Sequence, residues 1–126
     1  MRAWKATIAA AMVLALSGLL PPAPAHAASE CPVAGLLSTW GINSAGVFNV
    51  ASGDACLFPL RLEGVIAASS LLLPPEHGVL RQLNESTFEY TSSAGYIGPD
   101  TFAVQATGKG PTATGTSVIT LTATVR

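Results

Sequence analysis

The run Val118-Ile-Thr-Leu-Thr-Ala-Thr-Val125 alternates strictly, with Ile119, Leu121, Ala123 and Val125 on one side and Thr120, Thr122 and Thr124 on the other. Successive side chains of a strand point to opposite faces. This period therefore requires a β-strand with one apolar face in a core and one threonine face in water. The same period recurs upstream. Asp100–Ala106 places Phe102, Val104 and Ala106 inward, and Gly78–Leu83 and Thr87–Thr91 flank Asn84-Glu-Ser86, a hairpin signal. Leu57–Leu62 sets Phe58, Leu60 and Leu62 against Pro59 and Arg61. Proline has no N–H for a ladder, so this segment is expected to be an edge strand or the start of one. Gly64 precedes Val65-Ile-Ala67, and Leu71-Leu-Leu73 is stopped by Pro74-Pro75. Short strands separated by turn residues, with no long amphipathic helix, predict an all-β chain folded as a small β-sandwich.

The N-terminus predicts the compartment. Arg2 and Lys5 precede an uncharged apolar run, Ala6–Leu20, and Ala25 and Ala27 provide an A-x-A cleavage site before Ala28. The apolar run, about 15 residues, falls short of the ~20 that a membrane span needs. Residues 1–27 are thus expected to be a cleaved signal peptide. Glu30 directly before Cys31 argues against lipidation of that cysteine. Beyond the cut, four basic residues (Arg61, Arg81, Lys109 and Arg126) stand against seven acidic ones, a net charge of −3. Nucleic-acid binding, which needs clustered Lys and Arg, is not expected. Nor is attraction to anionic lipid. No candidate membrane span follows the cut, so a secreted or periplasmic protein is predicted.

Cys31 and Cys56 are the only cysteines, and in an oxidising compartment they are expected to pair. The bridge would close a loop of about 26 residues and contribute roughly 3–4 kcal/mol through the entropy of the unfolded chain. A redox pair would need C-x-x-C spacing, which is absent here. Residues 28–55 are the least regular. Gly35, Gly41 and Gly46 interrupt any helical period, and Gly46–Ala51 has strand character. This part is expected to be an N-terminal arm or first strand, with the sandwich domain over 56–126.

Four ordered segments then carry a resemblance: Pro75-Glu-His-Gly-Val-Leu80, Phe88-Glu-Tyr-Thr91, Gly95-Tyr-Ile-Gly-Pro-Asp-Thr-Phe-Ala-Val104 and Gly115-Thr-Ser-Val-Ile-Thr-Leu121. Their order over residues 57–125 resembles bacterial immunoglobulin-like domains, in particular the cadherin-like tandem-repeat modules of bacterial surface and secreted proteins. The resemblance implies an immunoglobulin-like antiparallel β-sandwich, here in a single copy. The residues make physical sense in that setting. Gly95 and Gly98 let the chain turn without a Cβ clash. Tyr96 is placed to pack its ring inward and bond its hydroxyl to backbone. Asp100 is placed to cap the turn, while Phe88, Tyr90 and Phe102 supply core bulk. Where such repeats often carry acidic residues after the Phe102 strand, this chain reads Gly108-Lys-Gly110, so calcium, which needs several carboxylate oxygens, is not expected.

Little in the sequence points to catalysis. His77 lies in a Pro-Pro-Glu-His-Gly turn, and neighbouring extended residues point apart, so a metal pair with Glu76 is not expected. No G-x-S-x-G elbow marks a nucleophile that Asp54 and His77 would serve. Glu63, Glu76, Glu85, Glu89 and Asp100 are scattered, with Glu89 on an outward row. Asn84-Glu-Ser86 matches a glycosylation sequon but reads as an ordinary hairpin turn. No catalytic residue, metal or cofactor is expected. The predicted function is an exported, non-enzymatic binding or adhesion module for a protein or glycan partner of the cell envelope. Docking would use either an open sheet edge or a patch around Trp40, Arg61 and Arg81, with packing of Trp40 into the core or the arm as the competing expectation for that residue. The competing expectation is a self-assembling structural component of the envelope or matrix, and hence a homo-oligomer.

Overall fold

In the computed structural model, which describes residues 28–126, the chain forms eight strands: β1 Ser29–Glu30, β2 Ser44–Val50, β3 Ala55–Pro59, β4 Val65–Leu73, β5 Gly78–Asn84, β6 Thr87–Ser92, β7 Gly98–Lys109 and β8 Thr114–Val125. The expected export segment, residues 1–27, lies outside the described residues. Two four-stranded sheets form, β1-β3-β6-β5 and β2-β8-β7-β4, and there is no helix among the described residues. The fold is a β-sandwich. Its central strands follow the immunoglobulin order, with β3-β6-β5 standing as B-E-D and β8-β7-β4 as G-F-C.

The central pairings are antiparallel, whereas both N-terminal strands join in parallel: β1 beside β3, and β2 beside β8 from Ser44↔Ile119 to Val50↔Val125. Residues 28–55 therefore supply a strand to each sheet, and the core runs without a break across Cys56. Phe48 of β2 is 2% exposed.

The longest ladder is β7 with β8, paired from Gly98↔Val125 to Lys109↔Thr114. Its alternation is the one the sequence carries. Phe102, Val104, Ala106, Ile119, Leu121, Ala123 and Val125 are all buried. The opposite sheet faces them with Cys56, Phe58, Phe88 and Tyr90. Four rings meet at the centre, with centroids 4.5 Å apart for Phe48–Phe58, 5.2 Å for Tyr90–Phe102 and 5.8 Å for Phe58–Phe102. Tilted and offset contacts of this kind contribute beyond their buried area.

The core's far end is closed by Trp40, whose Nε1 donates to the Glu63 carbonyl at 2.6 Å. The indole lies against the backbone of Gly108, where a Cβ would come within 2.5 Å of Trp40 Cζ2. Glycine at 108 is thus a packing requirement.

Outward rows of the β2-β8-β7-β4 sheet are rich in threonine and carry a single charge, Lys109 at the end of β7. Thr101–Thr122 and Thr107–Thr116 form cross-strand hydroxyl pairs at 3.1 and 2.9 Å.

Two local expectations are refined. Val65–Ala67 and Leu71–Leu73 belong to one nine-residue strand, β4, joined through Ala68-Ser-Ser70. Its pairing to β7 slips between Ile66 and Ala68 and between Leu71 and Leu73, so the two runs look separate in an alternation pattern. Pro59 closes β3 on the β1 side, where β1 covers only Cys56 and Leu57. The missing N–H therefore costs no ladder bond there. Cys31 and Cys56 form a disulfide with a Cα separation of 5.4 Å, which ties the start of the chain to β3.

Candidate functional site

Each sheet of a sandwich has two edges, and each edge presents backbone N–H and C=O groups that another strand would satisfy. Three of the four edges here are guarded. β1 is two residues long. β2 is covered at its middle, where Ala34 exchanges both backbone bonds with Val47 at 3.1 Å. β5 carries Arg81 at its centre, paired across the strand with Glu89 at 3.1 Å.

The fourth edge, β4, reads Val-Ile-Ala-Ala-Ser-Ser-Leu-Leu-Leu: nine residues without a charge or a proline. Its only departures from regularity are the two slips against β7. Only Ile66 and Ser69 are even half-buried. Val65 is 63% exposed, and Leu71, Leu72 and Leu73 follow at 40, 51 and 49%. The edge is held firmly at its middle. Ser69 Oγ donates to the Glu85 carbonyl, and Gln82 Nε2 donates to Ser69 Oγ at 2.8 Å and to its carbonyl at 3.2 Å. These bonds tie the centre of β4 to the second sheet, so the edge is presented in a fixed shape.

The patch drawn from the sequence does not assemble. Trp40 is 3% exposed and belongs to the core, with its indole N–H already bonded. Core packing is the expectation for Trp40 that holds. Arg61 is at the surface, where it meets Glu30 at 2.6 Å. Arg81 projects from β5 towards Glu89. Both are exposed ion pairs of small energetic weight. Arg61 and Glu30 stand over a cleft of about 320 Å³ between the 31–38 segment and the end of β3, walled by Val33, Leu36, Leu37 and Leu60. Its size reaches the lower end of the range for small-molecule sites. The cleft's polar side chains are Ser38 and the mutually paired Glu30 and Arg61.

A second cluster, around Asp100, is only partly legible in the sequence. Its carboxylate is 3% exposed. Oδ1 accepts the backbone N–H groups of Glu76 and His77 at 3.0 and 3.2 Å, and Oδ2 accepts the Tyr90 hydroxyl at 2.6 Å. Asp100 thus clasps the β4–β5 turn onto the core, where a cap on its own turn was expected. Burial, the Asp100 bond and the nearby negative charge push the Tyr90 hydroxyl well above its ordinary pKa.

The His77 imidazole stacks on Tyr96 with ring centroids 3.8 Å apart, and Tyr96 Oη donates to the Pro99 carbonyl at 2.6 Å. The expected hydroxyl-to-backbone bond of Tyr96 is present, but its ring covers His77 and is only half-buried. With every oxygen of Asp100 bonded and the His77 ring stacked, the cluster is a fastening. No group of three or more His, Cys, Asp or Glu side chains is arranged to hold a metal among the described residues.

In comparisons with known proteins, no family model, no curated protein and no solved structure matches the chain.

Proposed function

We propose that this chain is an exported, non-enzymatic binding module of the cadherin-like immunoglobulin class, which docks a protein of the cell envelope by strand addition along β4. The observation that carries the reading is the edge itself: nine neutral residues, unguarded by charge or proline, with three consecutive exposed leucines. An added strand would satisfy the backbone of β4, and its side chains would cover the leucines. Export is supported by the Cys31–Cys56 disulfide and by the sequence of residues 1–27. No helix among the described residues is long and apolar enough to cross a membrane. A protein partner is favoured over a glycan because Trp40, the aromatic on which a sugar would stack, is buried.

The test is crosslinking capture in the native envelope with wild-type protein, Ser70→Lys and Arg81→Ala. Ser70 is exposed on the β4 edge, so a lysine there blocks strand addition while leaving the core untouched. Expected is a partner held by wild type and by Arg81→Ala, and reduced at least tenfold by Ser70→Lys. Equal capture by wild type and Ser70→Lys would rule out the β4 edge.

A further inference from the structure

We propose that the strand docking on β4 is β4 of a second copy of this chain, paired antiparallel about a two-fold axis at Ser69. The inference rests on the reading of β4 as the docking edge and names its occupant.

A two-fold axis normal to the sheet keeps outward side chains outward. Residues that come opposite each other must therefore share a face. The pairing with β7 assigns those faces. Val65, Ala68, Ser70 and Leu73 lie opposite Lys109, Thr107, Gln105 and Ala103, the outward row of β7. Ile66, Ser69 and Leu71 lie opposite Gly108, Ala106 and Val104, the inward row.

Centring the axis on Ser69 sets Val65 against Leu73 and Ala68 against Ser70, outward against outward, and sets the inward Ile66 and Leu71 against Leu72 and Ala67, the two bulge residues without a partner on β7. Centring it between Ser69 and Ser70 would set an inward residue against an outward one. Centring it on Ser70 would set Ile66 against Pro74 and leave Val65 unmatched. Ser69 is also the midpoint of the strand. One register therefore uses the whole of β4 and matches faces at both off-axis pairs in which β7 assigns the two residues.

The side chains fit that register. Large apolar residues stand at the two ends of the strand and small ones, Ala67-Ala-Ser-Ser70, fill the middle. In the pair, the exposed Val65 of one copy meets the exposed Leu73 of the other, twice, while the small centres pass without a clash. An unrelated extended peptide would satisfy the backbone equally, but it leaves this symmetry about Ser69 unexplained.

Charge agrees. Residues 28–126 carry a net charge of −3, which opposes association through most surfaces. β4 brings no charge to the contact, and Lys109 lies beside Val65, so the two Lys109 residues fall at opposite ends of the pair. The joined sheets would form one eight-stranded sheet whose outer face is charged only at the two Lys109 residues. A contact confined to one strand edge lies at the small end of interface size, so the dimer is expected to be weak and concentration-dependent.

The test is sedimentation equilibrium of the purified protein, expressed through an export pathway so that its disulfide forms, over about a hundredfold range of concentration, a span wide enough to reveal a weak dimer. Wild type should pass from monomer to dimer while Ser70→Lys stays monomeric. Ser69→Cys should give a covalent dimer on mild oxidation, because facing residues of an antiparallel pair are about 4.5–5.5 Å apart at Cα, within disulfide reach. Val65→Cys/Leu73→Cys, which leaves the Ser69 bonds to Glu85 and Gln82 intact, should crosslink likewise. Leu83→Cys on β5 should not. The native chain has no free cysteine among the described residues, so the readout is clean.

A wild-type monomer throughout would overturn the second-copy inference. If an envelope partner is still captured and lost in Ser70→Lys, the edge reading survives without it. A dimer that persists in Ser70→Lys, with the Ser69→Cys variant left uncrosslinked, would overturn the inference and place self-association on another face. A dimer lost in Ser70→Lys but crosslinked through neither Ser69→Cys nor Val65→Cys/Leu73→Cys would overturn the register centred on Ser69.

Discussion

The Asp100 carboxylate, almost wholly buried, fastens both the turn before β5 and the strand β6, through Glu76, His77 and Tyr90. A bond from a neutral hydroxyl to a buried carboxylate is worth more than an ordinary one, so Tyr90→Phe should lower stability by about 1.5–3 kcal/mol at neutral pH. The pH dependence has a defined sign. The Tyr90 pKa is raised above its unfolded value of 10.0, so its contribution is complete below pH 10 and declines as the unfolded chain ionises above it. Urea unfolding should show wild type losing up to about 1.4 kcal/mol per pH unit above that point relative to Tyr90→Phe. A constant gap between the two proteins from pH 8 to about pH 11 would contradict the burial of Tyr90 against Asp100. At this scale the sequence is unevenly legible. Phe102, Val104 and Ile119 declare themselves by alternation. Trp40 sits in an irregular segment with no period to read, and the partners of Asp100 lie 10 residues away at Tyr90 and 23 and 24 away at His77 and Glu76.

Among the strands, legibility follows burial contrast. β8 shows a full inside–outside alternation and is legible over Val118–Val125 though it begins at Thr114, and the β5–β6 hairpin announces itself by its Asn84-Glu-Ser86 turn. β4 has almost no contrast, because it lies at the sheet's edge with both rows largely exposed. Its two bulges break the pattern into pieces. β2 shows only strand character in the sequence, since its partners, Ile119 to Val125, stand at the other end of the described chain, a parallel pairing that no local signal announces. The first strands instead depend on a covalent tie: Cys31 follows β1 directly, and Cys56 is fully buried in β3. Replacing both cysteines by alanine should cost about 3–4 kcal/mol in chemical denaturation, close to the chain-entropy value for this loop. The largest gain in amide exchange should fall on β1 and the 31–38 segment. A loss spread evenly over β7 and β8 would show that the bridge acts on the unfolded chain alone.

For the molecule as a whole, the defended and undefended edges tell the most. Shortness at β1, the Ala34 cover on β2 and Arg81 on β5 leave β4 as the one long edge without a backbone cover or a charge among the described residues, met only by the Gln82 side chain at Ser69. The sheet that carries it turns a threonine-paired face outward, charged only at Lys109. Strand patterning in the sequence indicates a sandwich with open edges. It cannot say which edge is open, since that depends on which strands end up beside β7 and β8. The most direct test is amide hydrogen exchange measured residue by residue at low and high protein concentration. The account expects slower exchange at high concentration confined to alternate amides of Val65–Leu73, with β1, β2 and β5 unchanged. Protection that appears on β5 or β2, or no change along β4 at a concentration where the protein has associated, would contradict it.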